Sequence, residues 1–413
     1  MGVVDRTNVR DATAEGVTAP MTTATPAAGA LELRALVVQW RRHLHQHPEL
    51  SFHEAETAQF VEETLSAFGG LEITRPTATS VMARLVTGRP GPVLALRADM
   101  DALAITEETG LPFASANRGV MHACGHDGHT ATMLGAVRTL LAMREQLVGE
   151  LRFFFQHAEE IYPGGAEEMV QRGVMDGVTR VIGAHLWASL AVGKVGVVEG
   201  AAMAAPDTFW IKVRGKGGHA AIPQQTVDPI AVGAQVVTNL QQIVSRGMDP
   251  IDSVVLSVTQ FHAGTTHNVI PEIVEMNGTV RTFDPALRTR VPQLMERIIK
   301  GVTEAHGATY EFIYERGYRP VINDADVTRE MAEIVEAVCG PDVLVTLRPT
   351  MGGEDFSAFL QKAPGSFFFI GAGNVATGIV HPHHHPRFDI DERALDIGVR
   401  IFVEAARRYC ARR

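Results

Sequence analysis

Three short apolar runs each break off into acids or a histidine, and this pattern constrains the fold more than any other feature. Val93-Leu94-Ala95-Leu96 leads into Arg97-Ala98-Asp99-Met100-Asp101. Leu151 to Phe155 leads into Gln156-His157-Ala158-Glu159-Glu160, and Arg180 to Ala184 leads into His185. Apolar runs this short, separated by stretches of helical period, read as buried strands alternating with helices. That alternation implies an α/β fold, a mostly parallel sheet with helices on both faces. Ligands of such open sheets bind beyond the carboxyl ends of the strands. The three run ends, distant in sequence, are therefore expected to meet on one edge.

A second concentration of chemistry lies between the first two runs. Met121-His122-Ala123-Cys124-Gly125-His126-Asp127-Gly128-His129 holds one thiol, three imidazoles and a carboxylate. An apolar helical pattern, Thr130 to Leu147, follows, so the cluster is expected at a strand-to-helix turn whose helix N-terminus helps hold a thiolate. Cys124 and His126, two apart, can grip one metal ion or adjacent ones. The plainer alternative is an inert buried cysteine beside a hydrogen-bonded histidine, and the crowding of titratable groups argues against it. At Glu159-Glu160, adjacent side chains of an extended chain point apart, so one acid can ligate metal while the other faces a reacting water as general base. His185 joins them only through its place after the third run.

Val380-His381-Pro382-His383-His384-His385-Pro386 follows a further run, Ser366 to Ile370. At least one of its four histidines is expected to be a ligand, and spacing leaves open which. Gly215-Lys216-Gly217-Gly218-His219 lacks the Gly-Lys-Ser/Thr ending of a phosphate loop, which excludes nucleotide binding there. His219 is a candidate to reach across to the metal site, with a structural role as the alternative. Asn268 and Arg281 are candidates to hold a substrate carboxylate, with a structural role as the alternative for each. The early histidines His43, His45, His47 and His53 straddle a helix end stopped by Pro48 and read as structural.

Helices are expected over Leu33 to Leu44 and Glu54 to Phe68. From Thr208 to Tyr314 the order of elements is β-α-β-β-α-β, the ferredoxin-like unit. A satellite domain is therefore placed at 204–316, inserted between two parts of a catalytic domain, 31–203 and 317–413. Helices at Asp326–Cys339, Asp355–Lys362 and Asp391–Arg408 are expected to complete the latter. Residues 1–30 read as a flexible tail without the apolar core of a secretory signal, and Met21 is a second candidate start. The chain carries a formal net charge of -10, which argues against nucleic acid or an anionic membrane as partner. No apolar run approaches the roughly 20 residues that span a bilayer. Its 3 cysteines, Cys124, Cys339 and Cys410, are odd in number and far apart, which points to a reducing, cytoplasmic setting.

Taken together, MHACGHDGHT, RADMDAL (97–103), FQHAEE (155–160), GGHAAIP (217–223), HNVIPE (267–272), MGGEDF (351–356) and HHPRFDIDE (384–392) resemble the M20 metallopeptidases. The resemblance is to the amidohydrolase branch with hippurate hydrolase, aminoacylases and indoleacetyl-amino-acid hydrolases, and it runs from about Leu31 to the C-terminus. It implies a zinc-peptidase-like catalytic domain and a satellite domain that often mediates dimers. It implies two divalent metal ions (zinc, manganese, cobalt or nickel), with Cys124 as bridge and His126, Glu160, His185 and His384 as ligands. Glu159 would be general base and acid, His219 would stabilise the oxyanion, and Asn268 and Arg281 would be candidates for the substrate carboxylate. The implied substrates are N-acyl amino acids, or alternatively free-carboxylate peptides. Three positions depart from the family pattern: His157 for a usual Pro, Gln224 for a common His, and His53 for a usual acid. A Cys124 nucleophile, or a metal-binding scaffold without activity, are the chemically distinct alternatives.

Overall fold

The computed structural model describes residues 26–412. Helices α1 (Pro26–Gln46) and α2 (Ala55–Phe68) precede strands β1 (Glu72–Thr74), β2 (Val81–Val86) and β3 (Val93–Asp99). There follow α3 (His126–Ala142), β4 (Glu150–Gln156), α4 (Gly165–Gln171), β5 (Arg180–Ala191), β6 (Val195–Val197) and β7 (Gly200–Met203). The middle of the chain forms β8 (Ala205–Arg214), β9 (Gly218–His219), α5 (Pro229–Arg246), β10 (Val254–Ala263), β11 (Val269–Ile270), β12 (Ile273–Thr282), α6 (Pro285–Ala305) and β13 (Thr309–Glu315). The last stretch holds β14 (Val321–Asn323), α7 (Ala325–Cys339), β15 (Leu344–Thr346), α8 (Ser357–Leu360), β16 (Gly365–Gly373) and α9 (Arg393–Tyr409).

Eight strands form one sheet in the order β1-β2-β4-β3-β5-β16-β6-β15. The centre, β4-β3-β5-β16, is parallel throughout, and antiparallel pairs flank it. Its strands are apolar on both sides because both sides are covered. Along β3, Leu94, Leu96 and Ala98 join the core beneath α1, α2, α3, α7 and α9, while Ala95 joins the opposite core with α4 and α8. On β4, Phe153 and Phe155 face the first core and Phe154 the second, all fully buried. Each such phenylalanine contributes on the order of 1.5–3 kcal/mol by leaving water. The expected α/β fold with helices on both faces is thus present, in a sheet that is mixed at its margins.

The middle of the chain builds a separate four-stranded antiparallel sheet, β10-β12-β8-β13, with α5 and α6 on one face over their own apolar core. β8 alternates buried and partly exposed residues, the period of a sheet with one covered face. Asp228 and Asp284 cap α5 and α6, each accepting backbone N–H bonds just before a proline at the first helical position. This is the ferredoxin-like arrangement the element order predicts.

Several local expectations are corrected. Helix α1 begins at Pro26, not Leu33, because the alanine-rich lead-in favours helix. Residues 1–25, with most of the expected tail and Met21, lie outside the described residues. The expected helix Asp355–Lys362 shrinks to Ser357–Leu360, because Asp355 turns its carboxylate to the buried Arg97 and Gln156. The third run does not stop before His185: β5 continues to Ala191, carried on by its pairing with β16, so His185 is a mid-strand residue opposite Phe369. Helix α3 starts at His126 rather than Thr130 and ends at Ala142. Its first turn is held by Arg41 and His45 on Asp127, partners that local sequence does not show.

Candidate metal centre and active site

The segments that β3 and β4 lead into, the start of α3, the middle of β5 and the loop after β16 come together. Gly125 stands before α3 with φ 92, a left-handed conformation that glycine adopts without penalty. That turn sends Cys124 and His126 inward, and both are buried. Three sets of donor atoms drawn from the expected residues alone result, each within 4.8 Å of one another: Cys124, His126 and His185; Cys124, Glu160 and His384; and His126, Glu159 and Glu160; two more bring in Asp99 with His126 and His129, and Glu354 and Asp355 with Glu159. Cys124, His126 and Glu160 each belong to two of these three.

Hydrogen bonds decide which ring nitrogens are free. His126 directs Nδ1 at the Asp101 carbonyl (2.9 Å) and carboxylate (3.1 Å). His185 donates from Nδ1 to the Leu186 carbonyl at 2.8 Å, and its Nε2 lies 3.4 Å from the Cys124 sulfur. In both residues Nε2 turns to the cluster. His129 differs: Nδ1 donates to Asp99 (2.6 Å) and Nε2 accepts from the Leu186 N–H (2.8 Å), so it has no lone pair to spare. His122 is buried with neither ring nitrogen bonded, belongs to none of the three sets, and is pushed down to about 4 by burial.

The histidine-rich tail loop sorts itself in the same way. His383 is half-buried, donates from Nε2 to the Leu186 carbonyl at 3.0 Å and packs on Trp187. His381 and His385 stack on each other with centroids 4.3 Å apart. His384 adopts φ 65, anchors its N–H on the Ala123 carbonyl at 2.8 Å and places Nε2 3.3 Å from Glu160.

The electrostatics are those of a site with surplus negative charge. Burial, and then Glu354 and Glu160, push the Glu159 carboxyl well above the usual range. Burial, and then Glu160 and Glu159, raise the Cys124 thiol. Burial alone would lower His126, but Asp99 and Asp101 overcome it and bring it up to about 10. Donors bind metal in their deprotonated forms, so a divalent cation entering here would release protons from the thiol and the imidazolium. The donor set fits one: the His126 Nε2 and the Glu160 Oε1 are buried atoms without a hydrogen-bond partner. Thiolate, imidazole and carboxylate together suit a borderline transition metal. A cavity of about 470 Å³ between α1 and α9, lined largely by Leu33, Val37, Leu395 and Val399, has no comparable donors; the chemistry therefore belongs to the cluster.

His219 and Asn268 are neighbours on the two-stranded β9–β11 ribbon, where the Ala220 N–H donates to the Asn268 carbonyl at 3.1 Å. Both are exposed, and His219 contributes to none of the donor sets. Its Nδ1 accepts from the Ala221 N–H at 3.1 Å, which leaves a donor at Nε2. Arg281 lies on β12 and is half-buried; burial lowers its proton affinity, with Asp207 opposing.

The sequence profile of peptidase family M20/M25/M40 matches residues 95–408. The chain belongs to this family. An N-acyl-L-amino acid amidohydrolase of Geobacillus stearothermophilus is 66% identical over 292 residues, 71% of this chain and 79% of that protein. Thermostable carboxypeptidase 1 of Saccharolobus solfataricus is 40% identical, over 89% and 93% of the two chains. Among solved structures, the Bacillus subtilis YXEP protein, a dinuclear metal binding peptidase from the M20 family, superposes with a TM-score of 0.80 at 39% identity, covering 91% of this chain and 98% of that one. The resemblance read from the seven motifs is therefore borne out, and the chain is an M20 hydrolase of the metal-dependent amidohydrolase kind.

Around the expected residues this M20 chain carries a second layer that the motif reading quoted without giving it roles. Arg97 is fully buried and pairs with Asp99 (2.7 Å), Glu354 (2.9 Å) and Asp355 (3.1 Å). Glu354 and Asp355 in turn share a donor set with Glu159. Asp101 receives the Glu160 N–H (3.0 Å) and the Ser51 hydroxyl (2.6 Å) while it holds His126. Tyr318 donates its hydroxyl to the Glu159 carbonyl at 2.6 Å. A signal was present for Asp99 and Asp101, at the end of β3 and just beyond it; Glu354, Asp355 and Tyr318 follow no apolar run that marks them.

Proposed function

We propose that this M20 enzyme hydrolyses the amide bond of N-acyl amino acids, releasing a carboxylic acid and a free amino acid. The observation that carries this reading is the meeting of Cys124, His126, Glu160, His185 and His384 around one thiol, with Glu159 beside them. These five would hold two divalent ions, and Cys124, His126 and Glu160, each belonging to two of the donor sets, would join the groups around them. When bound, such ions polarise the amide carbonyl and make water a competent nucleophile near neutral pH. Glu159 accepts the proton of the attacking water and passes it to the nitrogen of the leaving amine as the C–N bond breaks. Burial among acids suits it to that task, since its carboxyl readily keeps a proton between the two transfers. His219, through Nε2–H, is assigned to the developing oxyanion, and Asn268 and Arg281 to the substrate carboxylate.

The boundaries 31–203, 204–316 and 317–413 are proposed for the two parts of the catalytic domain and the satellite domain between them. A homodimer through the satellite domain is proposed with them, to be checked by light scattering. Among the described residues no helix is long and apolar enough to cross a membrane. The three cysteines are unpaired, which supports a reducing cytoplasm as the working environment. The identity to a carboxypeptidase favours one further reading, the removal of a C-terminal residue from short peptides.

Amino-acid release from N-acetyl, N-benzoyl and longer N-acyl amino acids and from dipeptides, by protein loaded with zinc or manganese, separates these readings. Chelator-sensitive release from the acyl amino acids is the expected result, and preference for dipeptides would transfer the assignment to the peptidase reading. Glu159→Ala is expected to retain metal and lose at least about 100-fold in kcat, whereas Cys124→Ala loses metal as well. Normal turnover by Glu159→Ala would remove Glu159 from the mechanism.

A further inference from the structure

Among the described residues, three that are not glycine occupy the left-handed region: Phe52 (φ 67), Ala158 (φ 49) and His384 (φ 65). Such conformations are costly for side chains with a Cβ and persist only where surroundings impose them. His384 belongs to the donor cluster and Ala158 immediately precedes Glu159-Glu160. Phe52 lies far away in sequence, yet one carboxylate joins it to Ala158. Oε1 of Glu54 accepts the Phe52 N–H at 3.0 Å and the Ala158 N–H at 2.7 Å.

Glu54 is the residue before α2, where a side chain ordinarily caps the helix, but its carboxylate makes no capping bond. It is instead fully buried and spent on a turn at the far end of β4. The remaining hydrogen bonds of that turn come from separate parts of the chain. Gly165 N–H reaches the Ala158 carbonyl at 3.0 Å, Tyr318 the Glu159 carbonyl, and Asp101 receives the Glu160 N–H. Of these contacts only the Glu54 bond acts on the strained residue's own N–H. Its loss would leave that N–H buried and unpaired and let Ala158 relax toward negative φ, swinging both following carboxylates.

We propose that Glu54 is a positioning residue, whose single oxygen clamps the Phe52 and Ala158 backbones together and so fixes where Glu159 and Glu160 point. The proposal rests on the reading of Glu159 as proton carrier and Glu160 as metal donor. Its burial also brings the Glu54 carboxyl up to about 7, and either protonation state keeps an oxygen free to accept both bonds.

The test uses full-length protein reconstituted with zinc or manganese, assayed on an N-acyl amino acid it cleaves. Glu54→Leu is expected to lower kcat about 100-fold with KM little changed, the effect of displacing a reacting group by about an ångström. Glu54→Gln keeps an acceptor oxygen and is expected to stay within about tenfold of wild type. Glu54→Leu/Ala158→Gly is expected to recover much of the lost kcat, because glycine adopts the left-handed turn without a clamp. Wild-type kcat in Glu54→Leu overturns the proposal, as does an equal loss in the Gln and Leu variants. If Glu54→Leu does not fold, the double variant carries the test, and a double variant that is unfolded or equally inactive overturns it: Glu54 would then support the fold at large. Glu159→Ala, assayed alongside, separates the two levels. If it turns over normally the underlying reading falls and the clamp with it; if it is inactive while Glu54→Leu is not, the clamp alone falls.

Discussion

At the scale of single residues, the site is a matter of which lone pairs remain after hydrogen bonding. His126, His129 and His185 have similar surroundings, and the difference between them is one bond: the Leu186 N–H occupies Nε2 of His129 and leaves the others open. That distinction lies beyond sequence, because the donor belongs to β5. Cys124, His126, Glu159 and Glu160 were legible from their neighbours, whereas spacing left four histidines open, of which His384 is the one that shares a donor group with Cys124 and Glu160 among the described residues. Arg97 shows how tightly the layer behind is wired. Among the described residues it is the one arginine or lysine paired with Asp99, Glu354 and Asp355, and its side chain is fully buried. Removing one partner of a buried ion network leaves the others uncompensated, so Arg97→Met is expected to cost about 3–5 kcal/mol in denaturant unfolding. A loss below about 1 kcal/mol, the value of an exposed pair, would show that the acids are protonated or hydrated instead.

Among elements, the junction of α1, α3 and α9 decides where the first turn of α3 stands. Gly135 of α3 faces Val37 of α1 and Val399 of α9, and a Cβ there would lie 2.7 and 2.8 Å from their methyl groups. Gly135→Ala would gain about 1 kcal/mol of helix propensity. It would lose about 1–3 kcal/mol to overpacking against branched side chains that cannot swing away. Net destabilisation is expected, visible as a lower Tm; a raised Tm would mean that the helices separate freely. The same junction carries a pH signature. Burial alone would lower the pKa of His45, but Asp127 and Glu107 outweigh it and raise it, with Arg41 opposing; His122 is the other ring nearby. Because the folded pKa is raised, the contribution is complete below the unfolded value of about 6.5 and is lost as pH rises through the folded value. The Tm difference between wild type and His45→Gln should therefore be widest in mild acid and narrow toward alkaline pH. The opposite trend would place a neutral imidazole there. The element order was readable from hydrophobic period, and the fold class with it. Element ends were not, because tertiary partners set them: Asp127 held by α1 moves the start of α3 forward, and β16 extends β5 beyond His185.

For the whole molecule, the notable fact is that β16 lies in the middle of the main sheet, between β5 and β6. It is also among the last elements in the chain, after the antiparallel sheet and α7. All nine residues of β16 are buried, so nothing in its place could be left to solvent. Chains ending before Gly365 are expected to be insoluble or chaperone-bound, as read by sedimentation, rather than folded with a missing strand; a soluble, cooperatively melting fragment would contradict this. The order of synthesis adds a hazard of its own. Until β16 emerges, the growing polypeptide carries an apolar strand edge with unmade hydrogen bonds, an invitation to pair with another nascent chain. His384, eleven residues beyond the end of β16, arrives later still. The donor group that His384 forms with Cys124 and Glu160 is therefore incomplete until the strand that fills the main sheet has been made.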